Sequence, residues 1–344
     1  VRTEILPATE EHIARAAEVI RAGGLVAFPT ETVYGLGADA LNEEAVRKIF
    51  LAKERPPDDP LIVHIAFAQQ LAQLARQVPQ RAWDLAEKFW PGPLTLVLPK
   101  TDRVPAVTTG GLDTVAVRMP SHPVAKRLME LSAVPIAAPS ANRFGRPSST
   151  TAQHVWEDLA GRIDLIVDGG PTPIGVESTV LDLTQEPPMV LRPGGVTLEE
   201  LRKVVGEVHL LSSCSSEAAK RSPGTRWRHY APRAKVLLVE QGTAEAVLER
   251  FRSVRVGVLV RGPHPHPLSR PQRRERGERG EGPEVIVIQM PRSLREYARR
   301  LFAALRELDA QGVEVIVVEK LEERGLGRAI MDRLRRASSS EREA

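Results

Sequence analysis

The sequence predicts two α/β domains, the first built on a mixed sheet and the second on a small parallel sheet, joined by a basic linker. Three observations lead there. The chain has 344 residues, and at ~150 residues per domain that suggests two. Within residues 1–205, short apolar runs alternate with amphipathic helical stretches, and several runs stand too close together for helical crossovers, so the sheet must be mixed. The alternation dissolves near Gly206 and resumes at residue 235 with strand–helix spacing suited to parallel strands. The expected divisions are residues 1–205, a linker or lid at 206–234, a second domain at 235–337 and a fraying tail at 338–344.

The first helix runs over residues 9–22, with Thr9 as N-cap, Ile13, Ala16, Ala17 and Ile20 on one face, and Gly23-Gly24 as the stop. A buried strand at 25–28 enters the loop Pro29-Thr-Glu-Thr-Val-Tyr-Gly-Leu-Gly37, and a short amphipathic helix follows at 43–52. Further strands are expected at 61–66, 94–98, 114–118, 136–138, 165–168 and 178–183, with helices at 68–76, 80–89, 123–132 and 151–160. The second domain reads as strand 235–239, helix 243–252, strands 255–260 and 284–289, helix 293–309, strand 313–318 and helix 325–337. Residues 262–282, rich in Pro, Arg, Gly and Glu, read as a mobile insertion.

Composition excludes several classes. One cysteine, Cys214, rules out an intramolecular disulfide or a cysteine-built zinc site and fits a reducing compartment. No apolar run reaches the ~20 residues of a membrane span, and the first residues lack signal-peptide character, so a cytoplasmic protein is expected. Residues 1–205 carry 21 Lys+Arg against 25 Asp+Glu, whereas the remainder carries 27 against 19. The basic excess therefore lies behind the first domain, which argues against that domain as a general nucleic-acid clamp. There is no P-loop, H-E-x-x-H, C-x-x-C or G-x-S-x-G motif. Gly35-Leu-Gly37-Ala-Asp-Ala40 matches a dinucleotide fingerprint, but six residues separate it from the preceding strand and no acid follows at the right distance.

Chemistry-bearing groups gather at several places. Lys53 and Arg55 precede Pro56-Pro57, which would hold the segment extended and point both cations alike; the pair fits a polyphosphate clamp or an ordinary charged helix end. His64 lies in a strand, as packing histidine or ligand. Arg118 ends a hydrophobic strand, suited to a carboxylate or simply exposed at a sheet edge. Ala138-Pro-Ser-Ala-Asn142 is a strand-end turn able to cradle an anion, with Arg143, Arg146, Ser148 and Ser149 beyond it, though a plain turn reads the same way. Ser178 opens a strand, and Leu191-Arg-Pro-Gly-Gly195 sets Arg192 in a rigid turn. In the linker, Arg226-Trp-Arg-His-Tyr-Ala-Pro232 offers a basic aromatic clamp or a solvated tether. Several cations and hydroxyls without a triad or metal cage suit a nucleotide and a small carboxylate held for phosphoryl or nucleotidyl chemistry.

Pro29-Thr-Glu-Thr-Val-Tyr-Gly-Leu-Gly37, Lys53-x-Arg55, Pro91-Gly-Pro-Leu-Thr95, Val117-Arg-Met-Pro120, Ser140-x-Asn142, Gly175-Val-Glu-Ser-Thr179, Leu191-Arg-Pro-Gly194 and Ser222-Pro-Gly…Arg228-His-Tyr-Ala-Pro232 together resemble the long form of the YrdC-like family, the threonylcarbamoyl-AMP synthases. The resemblance spans nearly the whole chain. It implies a YrdC-like twisted mixed sheet with helices, a basic linker and a small Rossmann-like parallel α/β domain. It also implies condensation of L-threonine, bicarbonate or CO2, and ATP to threonylcarbamoyl-AMP and pyrophosphate, for N6-threonylcarbamoyladenosine modification of tRNA. By that resemblance Thr32, His64, Arg118, Ala138 and Ser178 hold threonine. Arg55, Asp59, Thr114, Ser140, Asn142, Ser148, Arg192 and Tyr230 line ATP, Tyr230 as a lid residue, and Lys53 with Arg55 form the candidate catalytic pair. Mg2+ is expected on ATP rather than in a protein cage, and the downstream tRNA-modifying transferase complex is an expected partner. A non-catalytic RNA-binding module and a related carbamoyl-adenylate-forming enzyme are the alternatives; whether tRNA binds directly stays open.

Overall fold

In the computed structural model, residues 1–211, 217–225, 229–251, 254–262 and 284–338 are described. The chain forms two compact units, Val1–Phe144 with Ser148–Trp227, and Gly145–Pro147 with Arg228–Ala344.

The first unit begins with β1 (Glu4–Pro7), α1 (Glu10–Arg21), β2 (Val26–Phe28), β3 (Gly35–Asp39), α2 (Glu43–Lys53) and β4 (Ile62–His64). It continues through α3 (Leu71–Leu74), α4 (Gln80–Phe89), β5 (Leu94–Pro99), β6 (Thr114–Arg118), α5 (Pro123–Ser132) and β7 (Ile136–Ala137). It closes with α6 (Ala152–Leu159), β8 (Leu165–Asp168), β9 (Thr179–Asp182), β10 (Met189–Arg192), α7 (Leu198–Val205) and β11 (His209–Leu210). The strands form one mixed eleven-stranded sheet in the order β1-β8-β2-β3-β7-β4-β6-β5-β9-β10-β11.

Period-two alternation divides this sheet into two faces. Val63, Leu94, Leu96, Leu98, Val115 and Val117 face a core shared with α2, α4, α6 and α7. On the opposite face α1 and α5 pack over Val26, Phe28 and Ile136, and a small apolar cluster gathers Ile62, Val97, Ala116, Val180 and Leu191. Between those two apolar areas the register sets Ile136 beside His64, His64 beside Arg118, and Arg118 beside Thr95. A polar row therefore crosses the middle of an otherwise apolar face.

β3 corrects the expectation of a loop through Gly37. Its glycines are a strand because side chains from neighbouring strands occupy the space theirs would fill: a Cβ on Gly37 would lie 2.7 Å from the Phe28 ring and 2.8 Å from Ile136. β1, β10, β11 and α7 were also not expected; β1 is an edge strand with only alternate residues half-buried, and β11 is two exposed residues long. The expected helix 68–76 is a short 3-10 turn at Ala68–Gln70 followed by α3.

The second unit contains β12 (Lys235–Val239), α8 (Ala244–Leu248), β13 (Val256–Arg261), β14 (Val285–Met290), α9 (Leu294–Ala310), β15 (Val315–Glu319) and α10 (Leu326–Ser338). Its four strands are all parallel, in the order β12-β15-β13-β14. Gly257 permits this packing, since a Cβ there would meet Leu308 at 2.8 Å. α10 runs through Ser338, one residue into the expected tail. The remainder of the tail, Cys214, and all of the expected insertion except Gly262 lie outside the described residues.

Candidate active site

The loop after β2 hangs over the polar row. Thr30 Oγ1 accepts hydrogen bonds from the Thr32 and Val33 amides at 3.1 and 3.3 Å and donates to Val33 O at 2.7 Å, which folds the loop on itself. Glu31 O and Thr32 O receive the amides of Ile174 and Gly175, each at 2.9 Å. Thus anchored, the loop delivers two side chains to Arg118. Arg118 Nη2 donates to Glu31 Oε1 at 2.6 Å and Nη1 to Thr32 Oγ1 at 3.0 Å, while Nε reaches Gly92 O at 3.4 Å. Glu31 Oε2 in turn accepts the Ser121 amide at 3.1 Å. All three side chains are buried. The guanidinium is therefore an internal cation with a carboxylate partner, and the expectation of an exposed edge arginine is set aside.

His64 is buried beside Arg118, with Nδ1 on Ile62 O at 3.2 Å. Burial, aided by the Arg118 charge, pushes its imidazole down to about 3, so the ring is neutral at physiological pH. On the other side of Arg118, Thr95 Oγ1 and Ser178 Oγ lie 2.8 Å apart in a buried hydroxyl pair. Arg192 then grips Ser178, donating Nε and Nη2 to Ser178 O at 3.3 and 3.1 Å and Nη2 to Ser178 Oγ at 3.3 Å. It is the last residue of β10 rather than part of a turn, which corrects the sequence reading. Gly194 makes the approach possible: a Cβ there would stand 2.3 Å from Glu177 O, so only glycine lets the backbone pass so close.

A second group surrounds Lys53. The expected extended segment carrying Lys53 and Arg55 side by side is not found. Lys53 is the last residue of α2, Glu54 adopts a left-handed cap with φ 56°, and the two cations diverge. Lys53 Nζ donates to Ser140 O and Asn142 O, both at 2.5 Å, and the amide of Phe144 returns to Lys53 O at 2.9 Å. Burial and then the nearby Arg55 charge push this ammonium well below the usual amine range. Arg55 turns instead to its own loop, with Nη2 2.9 Å from Asp59 Oδ2 and donating to Pro60 O at 3.0 Å, the ion pair being buried. Asp59 is thereby a partner for Arg55, which resolves how a carboxylate can sit there.

The turn after β7 carries Ala138, Ser140 and Asn142. Ala138 is buried and its amide donates to Ile62 O at 2.9 Å; Asn142 Nδ2 donates to Arg143 O at 2.8 Å. Tyr34 links the turn to the first loop, its carbonyl taking the Ala141 amide at 2.7 Å and its amide giving to Ser149 O at 2.8 Å. Ser148 Oγ donates to the buried Glu177 at 2.5 Å, and Glu177 precedes Ser178, so the two groups are joined through one short segment.

Thr114 stands apart from the polar row. Thr114 starts β6, four residues from Arg118 and so roughly 13 Å along the strand. Tyr230 belongs to the second unit, where its ring stacks on Phe302 at 5.5 Å with Arg333 over it at 5.2 Å. Of the aromatic clamp, 226–228 lie outside the described residues. Sequence reasoning gave no role to Glu31, Thr95 or Glu177. Each stood within a quoted motif, and the signal available was an acid or hydroxyl inside a run that otherwise turns or packs.

Chemically, the row offers a buried guanidinium flanked by hydroxyls, suited to a small carboxylate. The second group offers an ordered turn and a further arginine. Among the described residues no cluster of three His, Cys, Asp or Glu is disposed to hold a metal, and no helix is long and apolar enough to cross a membrane.

Comparison with known proteins gives concordant matches. Residues 18–194 match the Sua5/YciO/YrdC family model, described as telomere recombination, and residues 196–339 match a model described as threonylcarbamoyl-AMP synthase, C-terminal domain. A threonylcarbamoyl-AMP synthase of Pyrococcus abyssi is 51% identical over 339 residues, covering 96% of this chain and 94% of that protein. One from Bacillus subtilis is 45% identical, covering 98% and 95%. The crystal structure of P. abyssi Sua5 complexed with L-threonine superposes with a TM-score of 0.88 at 50% identity, covering 98% of each chain.

Proposed function

This chain belongs to the threonylcarbamoyl-AMP synthase family, and we propose on that premise that it condenses L-threonine, bicarbonate or CO2, and ATP into threonylcarbamoyl-AMP and pyrophosphate. The observation that carries the reading is the buried Arg118 at the centre of the polar row. A guanidinium has five N–H donors, and Glu31, Thr32 and Gly92 take three of them. The remaining donors receive the carboxylate of threonine, while the Thr32, Thr95 and Ser178 hydroxyls and neutral His64 surround its polar atoms.

The amine of bound threonine takes up CO2, losing a proton to form a carbamate. A carbamate oxygen then attacks the α-phosphorus of ATP, and the bond to pyrophosphate breaks, which makes the enzyme a nucleotidyltransferase. Nucleophile and electrophile are both anionic, so their repulsion must be offset before proximity helps. Arg192 supplies that charge, and Arg55, paired with Asp59, adds N–H donors. Lys53 acts at one remove, fixing the 140–142 turn whose Ser140 and Asn142, with Ser148, face the nucleotide. The described residues do not fit a protein-held metal cage; a divalent cation enters with ATP, on phosphate oxygens. Tyr230 and Thr114 are proposed nucleotide contacts by family resemblance, and the product passes to the tRNA-modifying transferase in the cytoplasm.

Pyrophosphate release tests this. Release that requires threonine, bicarbonate and ATP together, with a threonylcarbamate–AMP adduct in the mass spectrum, is the expected outcome. Release indifferent to threonine would favour the related carbamoyl-adenylate chemistry, and none under any condition would favour a binding module.

A further inference from the structure

The segment after β11 was expected to be a linker, yet residues 217–225 are folded into the first unit. Glu217–Arg221 forms a 3-10 turn packed over β6 and β10. Ala219, Ser222 and Thr225 are buried, and Thr225 Oγ1 donates to Ser222 O at 2.7 Å and shares its proton with Ala219 O at 2.5 Å. These bonds make 219–225 one stiff piece. Beneath it lies the small apolar cluster of Ile62, Val97, Ala116, Val180 and Leu191, against which Ala218 packs. Ala218 is the one side chain of 217–225 in that cluster, so apolar burial there alone holds the piece weakly.

Two polar contacts fix it at separate points. Arg221 Nη1 donates to Asp182 Oδ2 at 2.8 Å and to Thr184 Oγ1 at 2.9 Å. Asp182 ends β9 and is fully buried, its Oδ1 accepting the Thr184 amide and hydroxyl at 2.9 and 2.7 Å. Two residues beyond Arg221, Pro223 O accepts Arg192 Nη1 at 3.1 Å. The other guanidinium nitrogens of Arg192 rest on Ser178, at the opposite end of β9.

We propose that Arg221 and Asp182 are positioning residues: they latch the 217–225 strap across β9 and β10, so that the Pro223 carbonyl completes the grip that aims Arg192 at the nucleotide. This rests on the proposed role of Arg192. Loss of the latch leaves the Asp182 carboxylate buried without its cation, a state that resists repacking, and frees the strap to carry Pro223 away from Arg192.

The test uses the full chain and two titrations, one of the α,β-methylene analogue of ATP and one of L-threonine. Arg221→Gln should weaken nucleotide binding by about tenfold, ~1.4 kcal/mol, with a distinctly smaller change in threonine affinity. Arg221→Lys, which keeps a cation on Asp182, should recover most of the loss, and Arg192→Ala should lose at least as much as Arg221→Gln. A general loosening of the fold would lower both affinities together and would overturn the proposal. Wild-type nucleotide affinity in Arg221→Gln, with loss in Arg192→Ala, would overturn the latch and leave the functional reading intact. Wild-type affinity in Arg192→Ala would remove the nucleotide from Arg192 and overturn both.

Discussion

Arg118 and Lys53 are both buried cations on adjoining parts of the site, and they are compensated in opposite ways. Arg118 faces the Glu31 carboxylate at 2.6 Å and remains a full charge in a desolvated place. Lys53 gives its ammonium to two backbone carbonyls, and burial together with Arg55 drives its proton affinity well down. The difference separates two jobs. An arginine already neutralised by a carboxylate can share its remaining donors with a second carboxylate without leaving a bare internal charge. A lysine spent on carbonyls is a tie: it sets the shape of the 140–142 turn, the turn proposed above to meet the nucleotide.

The largest effect expected from disturbing this contrast is on Arg118. Arg118→Ala strands Glu31 in the interior and should lower stability by about 3–5 kcal/mol, read by urea unfolding. Pairing Arg118→Met with Glu31→Gln should cost distinctly less, because no charge is left buried. Equal losses in the two variants would mean that the ion pair is not what the pocket is built around.

His64 gives a smaller, pH-graded effect. Its folded value of about 3 lies below its ordinary 6.5, so the unfolded chain takes up the proton first. Its contribution is complete above 6.5 and is lost as pH falls, at roughly 1.4 kcal/mol per pH unit until the folded value is reached. Unfolding curves from pH 7.5 to 5 should show this slope in the wild type and a shallower one in His64→Gln. Parallel slopes would place the titrating group elsewhere.

Much of the frame was legible because it is local. The alternation Ile62–His64 and Thr114–Arg118 identifies which side chains share a face, and the cap at Thr9 marks a helix start. What escaped depends on partners far away in sequence. Glu31 meets Arg118 across 87 residues and Ser148 meets Glu177 across 29, so neither pair has a local pattern. β3 looked like a loop because its space is filled by Phe28 and Ile136 rather than by its own side chains. Pro56-Pro57 suggested that Lys53 was extended, whereas the helix ends one residue later than that reading allowed. Pro193-Gly194 likewise suggested a turn at Arg192, when the glycine is there to let β10 close on Ser178.

The division of labour is tested most directly by titrating L-threonine and a non-hydrolysable ATP analogue separately into Arg118→Lys and Lys53→Met. Arg118→Lys cannot reproduce the planar fork and should lose threonine affinity by about tenfold or more while keeping the nucleotide. Lys53→Met should loosen the 140–142 turn and lose the nucleotide while keeping threonine. Loss of threonine binding in Lys53→Met with the nucleotide retained, or undiminished threonine binding in Arg118→Lys, would contradict the account.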